Sequence, residues 1–226
     1  MTCRFQTILR LWAALTFIFG LNAFGAEANS ANSTEVRSYQ VRIDNKPAGK
    51  YTLTLVSQGP SVDVDSSCDV DDRILFFHYR YKYRGHEKWQ GSKLVELSSD
   101  STDSGKRCRV SFIRTAKGPV LSVDGEKRPV DGELLASSYW NLPNRSTDFV
   151  AQYLEVDSGR IFAGHFKFVD NEALYIGQRK VMCKRYRISG GDDGEVWYDS
   201  DNRLVQQSSD SDGHRTLVSL QEIVYR

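Results

Sequence analysis

Trp89, Tyr139 and Trp140, with Glu87 and Tyr81 near them, are the side chains of this sequence best suited to hold a small molecule. An indole or phenol ring presents a flat apolar face and a polar edge, which suits stacking on a sugar ring or lying along an acyl chain. Tyr139-Trp140-Asn141 sets two rings and an amide side by side, and a polyhydroxylated ligand uses both kinds of group. Glu87 would add one fixed hydrogen-bond acceptor. The same rings would also serve to fill the core of a barrel, and the sequence leaves both readings open.

Catalytic and metal-binding patterns are present only as fragments. His86-Glu87 begins like a zinc-protease H-E-x-x-H, but position 90 is Gln90 and the segment reads as strand. His78, His165 and His214 are far apart in the chain. No G-x-S-x-G elbow occurs, and the span Gly85 to Lys93 is one residue too long for a phosphate loop, with Trp89 inside it. Asp199-Ser200-Asp201-Asn202 resembles a calcium loop, yet Arg203 would repel the ion and the glycine is missing, so a hairpin turn is expected there and at Asp210–Gly213. General acid–base or nucleophilic catalysis needs paired groups, and no carboxylate pair or Ser-His arrangement stands out by spacing. The expectation is a non-catalytic binding domain without metal or cofactor, taking a small amphipathic or carbohydrate-like ligand. The second reading is a hydrolase acting on an envelope polymer or ester.

These residues must be positioned by strands, because two-residue alternation dominates the chain. Tyr39, Val41 and Ile43 alternate with Gln40, Arg42 and Asp44. Between Arg73 and Arg84, Leu75, Phe77, Tyr79, Tyr81 and Tyr83 share one face, while Phe76, His78, Arg80 and Lys82 share the other. Trp89 to Leu97 reads as the partner strand. Asn45–Gly49 reads as a turn around Pro47. Ser104-Gly105, Asp124-Gly125, Asp131-Gly132, Asp193-Gly194 and Asp212-Gly213 mark further turns. The alternation breaks between Leu134 and Phe162, where short helical turns or covering loops are expected around residues 134–160. Ten to twelve strands joined by tight turns imply an all-β antiparallel meander, which must curl into a closed or half-open barrel. Of the four cysteines, Cys3 falls in the first 28 residues, which read as a cleaved signal peptide; the remaining Cys68, Cys108 and Cys183 are odd in number, form no C-x-x-C and sit in apolar-periodic segments, which fits buried thiols.

The first residues have a different task. Arg4 and Arg10, the apolar run Leu11–Leu21 and the small residues Ala23–Ala28 make a secretory signal peptide over residues 1–28. The run is too short for the ~20 residues of a membrane span, and no cysteine follows it for lipid attachment. Residues 29–37 read as a flexible leader and 38–226 as one barrel-like domain. The product is expected in the periplasm or outside the cell, without lipid anchor or transmembrane span, as a monomer. With 30 basic and 29 acidic residues the chain lacks the charge footprint of a nucleic-acid binder.

Several local patterns occur together in order: Tyr81-x-Tyr83, Glu87-x-Trp89-x-Gly91, Leu94, Leu97, Thr102, Asp103 and Gly105, then Tyr139-Trp140-Asn141, Leu154 to Gly159, Arg185-Tyr186-Arg187-Ile188 and Val196-Trp197-Tyr198-Asp199. Together they resemble the bacterial family named domain of unknown function 6134, across nearly the whole chain beyond the signal. The resemblance implies an exported β-rich fold and carries no catalytic residues.

Overall fold

The computed structural model describes residues 33–226 except 75, 76, 144–146, 192 and 212. The described residues form fifteen strands and no helix. In chain order these are β1 (Ser33–Ile43), β2 (Lys46–Gln58), β3 (Ser61–Ile74), β4 (Phe77–Gln90), β5 (Lys93–Asp103), β6 (Lys106–Thr115), β7 (Gly118–Val123) and β8 (Glu126–Pro129). The second half comprises β9 (Leu134–Ala136), β10 (Asp148–Leu154), β11 (Ile161–Ile176), β12 (Arg179–Ser189), β13 (Gly194–Tyr198), β14 (Leu204–Ser211) and β15 (His214–Tyr225). All belong to one sheet in the order β8-β7-β6-β5-β4-β3-β2-β1-β15-β14-β13-β12-β11-β10-β9. Two meanders therefore meet along the β1–β15 pairing, where Tyr39 faces Leu220 and Val41 faces Val218. Every pair is antiparallel except β9 with β10.

Local chemistry accounts for the hairpins. Asp44-Asn45, Ser104-Gly105 and Asp124-Gly125 each place two successive residues at positive φ, the conformation of the tight turn whose twist matches paired strands. The first of these moves the expected Asn45–Gly49 turn forward, so that Pro47 and Gly49 lie inside β2. A bulge beside Val41 and Arg42 accommodates the proline, which has no N–H to give to a ladder. Along β6 the pattern is strict: Val110 and Phe112 are buried, and Arg109, Ser111 and Ile113 face out.

The sheet curls without closing its hydrogen-bonded ladder, which is the half-open form of the expected barrel. Only residues 130–133 link β8 at one edge to β9 at the other, so the two edges lie within about 17 Å of each other. The far edge rests on the sheet's own inner surface: β9 lies against β5. The turn after β10 is tied down by side chains: the Ser101 hydroxyl donates to the Asp157 carbonyl at 2.9 Å, Ser99 donates to the Val156 carbonyl, and the Tyr81 hydroxyl donates to Asp157 Oδ2 at 2.8 Å. One continuous hydrophobic cluster fills the concave side, drawing on both meanders from Tyr39 and Leu53 through Phe112 to Tyr153, Phe166 and Leu220.

Of the two alternatives for residues 134–160, the described residues take the covering loops, with two short strands among them. Two expectations change. Strand β1 begins at Ser33, inside the stretch read as a flexible leader, and Arg37 within it is 3% exposed. Trp89 belongs to β4, not to the following strand, whose first residue is Lys93. The signal-peptide reading and residues 29–32 lie outside the described residues.

Candidate functional site

Tyr81, Tyr83, Gly85, Glu87 and Trp89 are one inward-facing row of β4. A bulge opposite Trp89 breaks the register with β5 and lets both Leu94 and Leu97 turn inward beneath it. Above the end of this row passes the segment Ser137–Pro143. Tyr139 holds positive φ, a conformation uncommon for a bulky residue and typical of places where surrounding packing imposes it. Its ring packs on Tyr153 at 5.4 Å and Phe166 at 5.9 Å between centroids. The main chain of the segment is fixed from below by β1: Arg37 Nη1 donates to the Trp140 carbonyl at 2.6 Å while its Nε pairs with Glu35 at 2.6 Å. Asn141 bridges to Arg203, and the Leu142 amide donates to the Asn202 carbonyl at 2.9 Å.

This arrangement leaves a cavity of about 320 Å³ at the barrel end, walled by Trp89, Tyr139, Trp140, Asn141, Leu142 and Asn202 among others. Trp89 and Trp140 meet edge-to-face with centroids 5.9 Å apart. Trp89 and Tyr139 are buried, whereas Trp140 is half-exposed at the rim. Aromatic walls with a few amide groups are the composition of a small-ligand pocket, and the volume lies at the small end of their range. Among the described wall residues there is no carboxylate, histidine, cysteine or lysine.

Glu87 stands behind this wall rather than in it. It is completely buried. Its Oε2 accepts a hydrogen bond from Trp89 Nε1 at 2.8 Å, which locks the indole against rotation. Burial pushes its pKa up to about 7, and the nearby Ser138 hydroxyl and the Trp89 indole N–H offset this only in part. Glu87 Oε1 and the Ser138 hydroxyl complete no hydrogen bond. Glu87 therefore positions a pocket ring and touches neither cavity. Tyr81 lies elsewhere: it lines a second cavity of about 360 Å³ on the other side of Ser137 and Ser138. Of the five residues singled out from sequence, three share the first cavity, one supports it and one belongs to the second.

The remaining chemical fragments resolve into structure. His78 pairs with Asp71, His86 with Asp65 and His214 with Asp44, each on the surface, at 2.6–2.9 Å. They do not converge. Asp199–Asn202 is a turn between β13 and β14. The Asp199 carboxylate accepts from the Asp201 and Arg203 amides and from Arg203 Nε, so the turn itself saturates it. Cys183 is buried; Cys68 and Cys108 are half-buried, and none forms a disulfide. Arg37, Leu142, Asn202 and Ser138 were not anticipated. Arg37 alone left a sequence signal, since it shares the phase of Tyr39, Val41 and Ile43.

Fold and site together define a barrel-like β-protein whose curled sheet carries an aromatic pocket at one end. The sequence matches the model of the family described as Domain of unknown function (DUF6134) over residues 39–221, and the chain belongs to that family. Its fold is similar to that of the crystal structure described as a beta-barrel-like protein of Domain of Unknown Function DUF1849 from Brucella abortus, with a TM-score of 0.60 and 7% identity, covering 86% of this chain and 98% of that one. At that identity the likeness concerns the fold alone. A search of curated proteins gives no match.

Proposed function

We propose that this chain is an exported, non-catalytic binding protein of the cell envelope that takes a small amphipathic or carbohydrate-like ligand in the pocket of Trp89, Tyr139 and Trp140. The observation that carries the reading is the convergence of three rings from two distant segments on one open cavity, with Asn141 and Asn202 beside them. Stacking surface and amide donors are what a sugar or an amphiphile's head and chain require. Hydrolysis finds no matching support. The described wall offers no carboxylate, histidine, cysteine or lysine, and Glu87, whose burial raises its pKa to about 7, is sealed behind Trp89.

The test is a titration monitored by intrinsic tryptophan fluorescence, using oligosaccharide and acyl-chain panels and envelope extracts, on the parent and Trp140→Ala. Because Trp140 is at the rim and Tyr139 fills the core, Trp140→Ala is expected to weaken binding at least tenfold while the protein stays folded. If Trp140→Ala unfolds the protein while no panel member or extract shifts the parent's melting temperature, the rings are a plug and the reading is abandoned.

A further inference from the structure

The second cavity has a chemistry of its own. Strand register builds its floor: Tyr51 on β2 faces Cys68 on β3, which faces Tyr83 on β4, and in the next row Gly49 faces Val70, which faces Tyr81. Gly49 is what hollows this row, because a Cβ there would lie 2.2 Å from the Asp69 carbonyl oxygen and 2.8 Å from Val70 Cα. Tyr79 follows two residues from Tyr81 on the same face, so four phenol rings line one space with Val41, Ile43 and Val218. The roof is the turn after β10, which brings Glu155 and Asp157 over the rings. Glu155 is engaged by Arg160 at 2.8 Å. Asp157 is not neutralised: its carboxyl takes the Tyr81 hydroxyl, and no cation pairs with it among the described residues. No lysine, arginine or histidine is among the described wall residues of this cavity.

From these rings and this carboxylate we infer that the second cavity is a binding site for an organic ammonium group, of the alkylated type carried by choline. A cation over electron-rich aromatic faces is attracted by their quadrupoles, and a ring of them suits a quaternary ammonium that carries its charge on apolar methyl groups. Asp157 supplies the counter-charge. An anion would meet two carboxylates and no cation. A neutral apolar guest would leave Asp157 further desolvated without compensation. The carboxyl is already held above its ordinary pKa, first by burial and also by the nearby acidic groups Glu155 and Asp103, and the charge of a bound cation would offset both. This site is independent of whatever the first pocket holds.

Isothermal titration of the full chain with choline and with 3,3-dimethylbutan-1-ol, its uncharged carbon isostere, tests the site at constant ionic strength. Choline is expected to bind at least tenfold more tightly than the isostere. Asp157→Asn and Tyr79→Leu should each weaken choline binding several-fold, and Trp140→Ala should leave it unchanged. Equal binding of the two compounds, no binding of choline at tens of millimolar, or a folded Asp157→Asn that binds choline as the parent does would overturn the site. If Asp157→Asn fails to fold, the parent's preference for choline over its isostere, or the lack of one, still separates a cation site from an apolar one.

Discussion

Glu87 occupies a position in the inward row of β4 that otherwise holds three rings and a glycine, and its acid is completely buried there. The pKa raised to about 7 by burial has a definite sign in stability. Below about pH 4.5 the carboxyl is protonated in both folded and unfolded chains and adds no penalty. Between about 4.5 and about 7 the unfolded chain ionises while the folded chain keeps its proton, so stability falls as pH rises, by about 3 kcal/mol in all, and stays lower above pH 7. Glu87→Gln retains an acceptor for the Trp89 N–H and removes the titration. Urea unfolding should find it more stable than the parent at pH 8, with the difference shrinking to nothing or reversing at pH 4. A constant difference across that range would mean Glu87 is not the titrating group. The phase of this residue was legible in the sequence, since Tyr81, Tyr83, Glu87 and Trp89 are all odd-numbered on one run. It was obscured because Gly85 and Glu87 interrupt the row of rings, so the ladder reads only as far as Arg84 and Trp89 falls to the next strand.

The strand that anchors the pocket is β1, through Arg37. Its guanidinium is buried, pairs with Glu35 and holds the Trp140 carbonyl. Arg37→Met would leave a carboxylate and a carbonyl without their donor, a loss of about 3–5 kcal/mol for a broken buried pair. The expected result is a melting temperature lowered by several degrees or more, with Trp140 fluorescence shifted toward that of a solvated indole. An unchanged melting temperature would mean that Glu35 and Trp140 find other partners. At the sheet's outer edge β8 is short, fully exposed and carries Glu126, Lys127, Arg128 and Pro129, residues that deter pairing with another chain. Replacing Glu126 and Lys127 by valine should make the protein elute as larger species at raised concentration, while the parent does not change. Alternation made most of these strands readable, because one side faces core and the other water. It failed for β9 and β10, whose parallel pairing depends on where the curled sheet delivers β5 and not on their own residues. It failed likewise for residues 33–37, where polar composition concealed a strand whose inward position is an arginine.

For the molecule as a whole, the three thiols of the described residues report on how tightly the curled sheet holds together. Cys183 is buried in the second meander, and Cys68 has its pKa pushed up to about 12 by burial, so neither presents a thiolate near neutral pH. Native-state labelling followed by mass spectrometry should modify Cys108 first and Cys183 last, with Cys183 reacting only as fast as the protein unfolds. Rapid native modification of Cys183 would show that the second meander opens on its own. Of the three thiols read as buried, Cys183 is fully so, while Cys68 and Cys108 lie at half-depth, Cys68 in the wall of the second cavity. The pairing of β1 with β15 at the middle of the sheet has a temporal consequence. Strand β1 finds β2 at once but must wait for nearly the whole remaining sequence before β15 exists to cover its other side. Neighbouring hairpins form quickly, whereas contacts between distant parts of a chain are slow to gain. Until then the two ribbons meet where β9 and the turn after β10 rest on β4 and β5, and the seam that joins them through the ladder is missing. The central seam of the sheet is thus the last to close, an order of assembly that fits the export proposed above.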